Sequence, residues 1–193
     1  FDDAAAPLRY RHGQDHRVAE SWTDSIRVRT GTGTGIETGH FRFWASHHGP
    51  IVGLAGDGRP LAVKLARMVE GGWFTQWDEM IRARSLADWK RAVAQLRVPY
   101  MNTMYADAEG NIGYIYNSAV PRRLAGVDPA GILDGGDVRT EWQGFHSLDE
   151  LPQVWNPPSG WLLNTNSTPF TATTGMSLRR EDFPAYMVGD ETD

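Results

Sequence analysis

The hydrophobic period of this sequence changes along the chain, and that change constrains the fold more than any other feature. In the N-terminal part, apolar and polar residues alternate, as they do in strands with one apolar face. Ile26 and Val28, for example, alternate with Arg27 and Arg29. We therefore predict that residues 1–66 form mainly strands.

Turn residues separate the strands of this segment. A Gly/Thr-rich stretch at residues 30–35 joins two alternating runs and predicts a β-hairpin. Its glycines lack the spacing, the Lys-Ser/Thr pair and the following helix of a phosphate-binding loop. Two further strand-like runs lie at Ile51–Ala55 and Pro60–Ala66. Residues 1–20 are polar and weakly periodic, which predicts a loop or a single edge strand.

Between residues 75 and 97 the period becomes that of a helix. From Trp77 the apolar residues fall at i, i+3 and i+4, and a second series with helical spacing follows from Leu86. Each series has a Ser/Thr-x-x-Asp arrangement at its start, at Thr75 and at Ser85, and such a hydroxyl can cap a helix. We predict a pair of short amphipathic helices.

Strand patterning returns in residues 98–118, where the apolar run Val98–Tyr105 precedes the turn Asp107–Gly110 and a second run. Asp at the first turn position and Gly at the fourth are typical of a type I turn closed by a left-handed Gly, so a hairpin is predicted. Residues 119–193 are loop-rich, with Trp161–Leu163 as a last short buried strand. The predicted fold class is α+β.

Composition excludes several classes of protein. The net charge is −5 and no run of Lys and Arg exceeds two residues, which argues against a nucleic-acid partner. Cysteine is absent, so disulfides, a thiolate nucleophile and Cys-based metal sites are excluded. No apolar run approaches the roughly 20 residues of a membrane span. The eight Trp favour a deep core and an apolar ligand pocket.

Two stretches of the sequence resemble the β chain of penicillin acylases and their relatives. The first is Asn102–Tyr114, continued by Pro121–Arg122, and the second runs from Trp142–Phe145 to Asn164–Pro169. His48–Pro50 is similar to the His-Gly-Pro/Asn turn of this family. The relatives include acyl-homoserine-lactone acylases and acylases of lipopeptide antibiotics, and the resemblance covers essentially the whole chain.

The resemblance implies part of an N-terminal nucleophile hydrolase fold, made of an antiparallel sheet segment, a short helical pair and long ordered loops. It also implies cleavage of a linear amide of a β-lactam, an N-acyl homoserine lactone or a lipopeptide. In this family a Ser, Cys or Thr freed by self-processing attacks the carbonyl, with its own α-amino group as the base.

The chain begins with Phe1, so the resemblance implies an internal β-chain segment that lacks the nucleophile and is inactive alone. Its expected partners are the α chain, the remainder of the β chain of the same precursor, and a small-molecule amide substrate. A periplasmic or secreted location is implied by the family.

The resemblance assigns candidate site residues. Asn166 matches the family's side-chain oxyanion donor, a role for which an amide is suited because it donates N–H without adding a charge. Asn164 is expected to fix the local loop. Trp77, Met80 and Met101 match positions that line an apolar acyl pocket, and Met adapts its shape to irregular ligands. Packing of these three residues in the core is the alternative.

No cofactor is required for this chemistry, but the family suggests a structural calcium. The carbonyl of Pro129 and the carboxylate of Asp182 match candidate ligands, and calcium prefers oxygen. His47 and His48 are adjacent, and neighbours on a strand point to opposite faces, so we favour a structural role over a shared metal site. A non-catalytic, Trp-rich β-type domain that binds carbohydrate or peptide stays open as an alternative.

Overall fold

The computed structural model describes residues 8–31, 34–116, 119–166 and 168–188. The chain divides into two compact units. The first comprises Phe1–Leu65 with Leu133–Thr140, and the second comprises Ala66–Ile132 with Glu141–Asp193. Antiparallel sheets and a few short helices confirm the predicted α+β class.

The first unit contains an antiparallel hairpin and a separate four-stranded antiparallel sheet. The strands are β1 Arg9–His12 and β2 Asp15–Val18 in the hairpin, and β3 Glu20–Arg29, β4 Ile36–Ser46, β5 Gly49–Leu54 and β6 Pro60–Ala62 in the sheet. The loop or single edge strand predicted for residues 1–20 is therefore wrong for residues 8–20, and residues 1–7 lie outside the described residues. Gly13 adopts a φ of +62° between β1 and β2, and this turn lets two short polar strands pair.

Strands β3 and β4 form the hairpin that the alternating pattern predicts. Trp22 lies opposite Phe43 and Ile26 lies opposite Gly39. Opposite residues share a face, and the ring of Trp22 stacks on that of Phe43 with 5.6 Å between centroids. The side chains of this apolar face stay exposed in the structure. The alternating pattern therefore predicts which strands pair and which side chains share a face, but it does not predict that this face is buried.

His47 and His48 lie in the turn between β4 and β5, not on a strand. The prediction that their rings point to opposite faces is therefore wrong, and their ring centroids are 3.8 Å apart. Nδ1 of His47 hydrogen bonds with the hydroxyl of Tyr10 at 2.9 Å, and Nε2 of His48 hydrogen bonds with the carbonyl of Gly135 at 2.8 Å. Both rings thus hold together elements of the first unit.

The second unit contains the predicted pair of helices, α1 Trp73–Arg82 and α2 Leu86–Val93. The oxygen of Ser85 accepts from the N–H of Asp88 at 3.1 Å, which confirms Ser85 as the cap of α2. The prediction that Thr75 caps α1 is wrong, because α1 begins earlier, after Gly72. Gly72 has a φ of +90°, which glycine adopts readily because it has no Cβ. No side chain caps this end of α1.

A three-stranded antiparallel sheet follows the helices, with the strands in the order β7 Thr103–Ala106, β8 Ile112–Ile115 and β9 Gln153–Trp155. The predicted turn between β7 and β8 is confirmed, because the N–H of Gly110, at a φ of +89°, donates to the carbonyl of Asp107 at 3.2 Å. Strand β7 is shorter than the apolar run from Val98, since Tyr100 has a φ of +56° that interrupts the extended backbone.

The buried strand predicted at Trp161–Leu163 is wrong. That segment is not paired as a strand, and the side chain of Trp161 is 41% exposed. The third strand lies earlier, at β9, where the ring of Trp155 covers Gly113. A Cβ at position 113 would lie 2.1 Å from that ring, so this position of the Trp155 ring requires glycine at residue 113.

The core of the second unit lies between helix α2, the three-stranded sheet and the C-terminal helix α3 Ala185–Val188. Its buried members are Trp89, Val93, Leu96, Ile115, Val120, Leu148, Leu151, Met187 and Val188. The ring of Trp89 contacts those of Tyr105 and Trp155, with centroid distances of 4.7 and 6.0 Å. None of the helices in the described residues has the length and apolar character to cross a membrane.

Helix α1 is joined to the chain that follows α2 by one buried side chain. Gln76 is 1% exposed, and its Oε1 accepts from the backbone N–H groups of Arg97 at 2.5 Å and Val98 at 3.2 Å. Its Nε2 donates to the sulfur of Met80 at 3.6 Å. Because buried backbone donors need partners, this amide fixes the distance between α1 and residues 97–98.

A charged cluster fixes the turn before β9. The carboxylate of Glu150 accepts from the backbone N–H of Ser147 at 2.7 Å, from its hydroxyl at 2.8 Å and from Nη2 of Arg122 at 2.5 Å. These hydrogen bonds, those from Ser147 first, lower the pKa of Glu150 to about 2. The ionised carboxylate therefore stabilises the turn.

Replacing Gln76 by Leu leaves the N–H groups of Arg97 and Val98 without their acceptor. We expect the free energy of unfolding to fall by about 1–3 kcal/mol, as for other buried unpaired donors. Denaturant titration measures the change. The matched control is Gln143→Leu, because Gln143 is exposed. Equal stabilities of the two variants would contradict the role of Gln76.

Replacing Glu150 by Gln should change how the stability of the fold depends on pH in the acid range. The folded-state pKa lies below the ordinary value of 4.5, so the stabilisation is present above pH 4.5 and is lost as the pH falls towards 2. Thermal unfolding at pH 7 and pH 3 should show a larger difference between wild type and variant at pH 7. A difference that does not depend on pH would contradict the assignment.

Candidate active site

The second unit contains a cleft of about 250 Å³ between helix α1 and the chain that leads into β7. Its lining residues are Gln76, Trp77, Met80, Ile81, Trp89, Val98, Met101, Asn102, Thr103 and Met104. The structure thus brings together the three residues that the sequence placed at an acyl pocket, Trp77, Met80 and Met101. Helical spacing puts the first two on one face of α1, and Met101 lies on the opposite wall.

The three side chains differ in their exposure within this chain. Trp77 is 40% exposed and Met101 is 46% exposed in this chain. Met80 is half-buried and packs against the core. Trp77 and Met101 thus differ in burial from Met80, which joins the cleft to the core. Lining of an acyl pocket by these three residues stays a prediction.

Gln76 forms the buried floor of the cleft. A role for this residue was not predicted from the sequence. Its hydrogen bonds to residues 97–98 join the wall formed by α1 to the wall that contains Met101. The sequence contains a pattern that indicates this role. Gln76 precedes Met80 by one helical turn, so it is a polar residue on the apolar face of α1. Such a residue needs an internal partner.

Asn166 lies in an exposed loop that hydrogen bonds connect to the cleft. Its φ is +62°, in the left-handed region, and its side chain is exposed. The backbone N–H of Asn166 donates to Oδ1 of Asn164 at 3.1 Å. The same oxygen accepts from Nδ2 of Asn102 at 3.1 Å, and Asn102 lines the cleft.

The base of this loop is closed by hydrogen bonds at both of its ends. The N–H of Leu163 donates to the carbonyl of Ala172 at 2.8 Å. The hydroxyl of Thr173 donates to the carbonyl of Trp161 at 2.8 Å and lies 2.5 Å from the hydroxyl of Ser159. Ala172 and Thr173 are buried. The loop therefore presents Asn166 from a fixed base.

This arrangement combines an apolar cleft with an exposed, neutral hydrogen-bond donor. A side-chain amide stabilises a negatively charged oxygen without contributing a charge of its own. An apolar cleft beside it can hold the non-reacting part of a substrate. Asn164 fixes the loop, as the sequence led us to expect, because both of its bonds link backbone or side-chain groups of the protein.

The candidate calcium ligand Asp182 is paired with an arginine. Both carboxylate oxygens of Asp182 accept from Arg179, at 3.1 Å from Nε and 2.6 Å from Nη2. A cation prefers a carboxylate that is not already neutralised by an arginine. Pro129 lies in a loop and is half-buried. Calcium binding by these residues stays a prediction.

Comparison with known proteins identifies the family of this chain. The profile of the penicillin amidase family matches residues 2–189. Penicillin G acylase from Escherichia coli is 28% identical over an aligned length of 194 residues, and the alignment covers 94% of this chain and 20% of that protein. The structure of a thermostable penicillin G acylase from Alcaligenes faecalis matches with a TM-score of 0.71 and 27% identity, over 83% of this chain and 28% of the other. The chain thus spans well under half of each relative, and it belongs to the penicillin amidase family.

Proposed function

We propose that the chain forms one wall of the active site of a penicillin-acylase-type amidohydrolase, which cleaves a linear amide. The observation that carries this proposal is the connection of an apolar cleft to an exposed amide donor. Asn102 lines the cleft and hydrogen bonds to Asn164, which in turn accepts from the backbone of Asn166. Substrate binding and stabilisation of the oxyanion are then tasks of adjoining elements.

The cleft between α1 and β7 receives the acyl group. Its volume of about 250 Å³ is below the roughly 300–1,000 Å³ of pockets for drug-sized ligands, so it suits an acyl chain and not a whole substrate. Trp77 supplies a flat apolar surface, and Met101 adapts to the shape of the chain. The substrate class is the N-acyl amide of a β-lactam, a homoserine lactone or a lipopeptide.

Asn166 acts on the reacting carbonyl. In this proposal a hydroxyl or thiol nucleophile, contributed by another segment of the same precursor, attacks the amide carbon while its α-amino group takes up the proton. Nδ2 of Asn166 donates to the oxygen that becomes negative. The C–N bond then breaks, the amine leaves with the proton, and water hydrolyses the acyl-enzyme.

The complete enzyme includes the α chain and the remainder of the β chain. No cofactor takes part in this chemistry. Export to the periplasm or the medium belongs to the same proposal and is supported by the family resemblance alone. A non-catalytic Trp-rich binding domain is less well supported, because the family match extends over the whole of the candidate site.

Removing the side-chain amide of Asn166 tests its role. Asn166→Gly is the cleanest variant, since glycine adopts a φ of +62° without strain. In the complete enzyme we expect kcat to fall about 100- to 1,000-fold, with little change in KM, as for the loss of one oxyanion donor. Thr174→Ala, an exposed position in the same segment, is the control. An unchanged kcat for Asn166→Gly would remove this residue from the mechanism.

Truncating the cleft tests its role in acyl recognition. Trp77→Ala and Met101→Ala should each lower kcat/KM for a long or aromatic acyl group by roughly 10- to 100-fold, and much less for acetyl, because apolar contacts are lost. The matched control is Phe74→Ala, since Phe74 is on the same helix, is 89% exposed and does not line the cleft. Equal effects of the three substitutions would show that the cleft does not select the acyl group.

A further inference from the structure

The side-chain carbonyl of Asn164 accepts two hydrogen bonds that come from different parts of the second unit. One donor is Nδ2 of Asn102, 62 residues away at the edge of the cleft, and the other is the backbone N–H of Asn166, each at 3.1 Å. A carbonyl oxygen has two lone pairs, so both are used. The orientation of this amide is therefore fixed from two sides.

The bond to Asn166 matters because residue 166 has a left-handed backbone. Residues other than glycine occupy that region at a cost, and Asn does so more readily than most. The φ of +62° sets the direction of the Cα–Cβ bond and hence the region that Nδ2 of Asn166 can reach. Without its acceptor, this N–H no longer stabilises the left-handed conformation.

The bond to Asn102 joins the oxyanion loop to the wall of the acyl cleft. Asn102 follows Met101 directly and precedes the first residue of β7, and all three line the cleft. An acyl group that packs on Met101 therefore contacts the same short segment that holds Asn164. We propose that Asn164, held by Asn102, is a positioning residue for the oxyanion donor Asn166, an inference that rests on the proposed function.

A purely structural role for Asn164 can be separated from this positioning role. The base of the loop is closed by the bond from Leu163 to Ala172 and by the bonds of Thr173 to Trp161 and Ser159. Pro169 and Ala172 are buried. The base of the loop thus keeps its anchors when the side chain of Asn164 is changed, whereas the backbone at Asn166 loses the acceptor that Asn164 supplies.

The test uses the complete enzyme and Asn164→Leu, which removes the acceptor at similar volume. A displacement of about 1 Å at a reacting group costs up to about 100-fold in rate, so we expect kcat to fall roughly 10- to 100-fold while KM changes little. Combining Asn164→Leu with Asn166→Gly should lower kcat no further than Asn166→Gly alone, because the positioned group is already missing. Asn102→Leu should lower kcat in the same direction and add nothing in the Asn164→Leu background.

The outcomes separate the two claims. If Asn166→Gly leaves kcat unchanged, the proposed oxyanion role itself fails. If Asn166→Gly lowers kcat but Asn164→Leu does not, or if the two losses multiply in the double variant, only the positioning role is overturned. Thermal unfolding of each variant shows whether the enzyme has folded. If Asn164→Leu does not fold, kcat is measured instead for Asn102→Leu, alone and combined with Asn166→Gly. The same two outcomes then support or overturn the positioning role.

Discussion

The packing of helix α2 against the three-stranded sheet is the interaction on which the candidate site depends. Trp89 on α2 contacts Tyr105 of β7 and Trp155 of β9, and the apolar residues around them form the buried core of the second unit. The core fixes where α2 ends and where β7 begins. Gln76 then binds the backbone between these two elements and so sets the position of α1 opposite Met101. The cleft is the space that this packing leaves open.

Neutral side-chain amides form the hydrogen-bond network between the cleft and the loop of Asn166. Gln76 is buried at the floor of the cleft, and Asn102 and Asn164 connect the cleft to the loop. Asn166 is exposed, and in the proposed function it acts on a substrate. Amides do not titrate, so this network keeps its hydrogen bonds over a wide range of pH. Glu150, whose hydrogen bonds from Ser147 and Arg122 lower its pKa to about 2, holds a turn in the same unit and loses its charge only in strong acid.

The sequence predicted the features that depend on local spacing. Helical periodicity placed Trp77 and Met80 on one face of α1, and the residues at Asp107 and Gly110 predicted the turn that the structure confirms. Predictions that depend on distant partners failed. The apolar run at Trp161–Leu163 was wrongly assigned to a strand, because its sequence does not show that β9 already pairs with β8 over Gly113.

The same limit applies to the site. The family resemblance indicated Asn166. The hydrogen bond from Asn102 to Asn164 could not be predicted from a local pattern, because it joins residues far apart in the sequence. Thr75 was wrongly assigned as a cap for a related reason, since the start of α1 is set by the positive φ of Gly72 and not by a nearby hydroxyl.

The most direct test is a crystal structure of the complete enzyme with a covalent inhibitor that mimics the tetrahedral intermediate on the nucleophile. If this chain supplies the oxyanion donor, Nδ2 of Asn166 lies about 2.7–3.1 Å from the inhibitor oxygen that stands for the oxyanion, and the acyl portion occupies the cleft between Trp77 and Met101. An Asn166 amide that makes no hydrogen bond with that oxygen, or an acyl group bound elsewhere, would contradict the account.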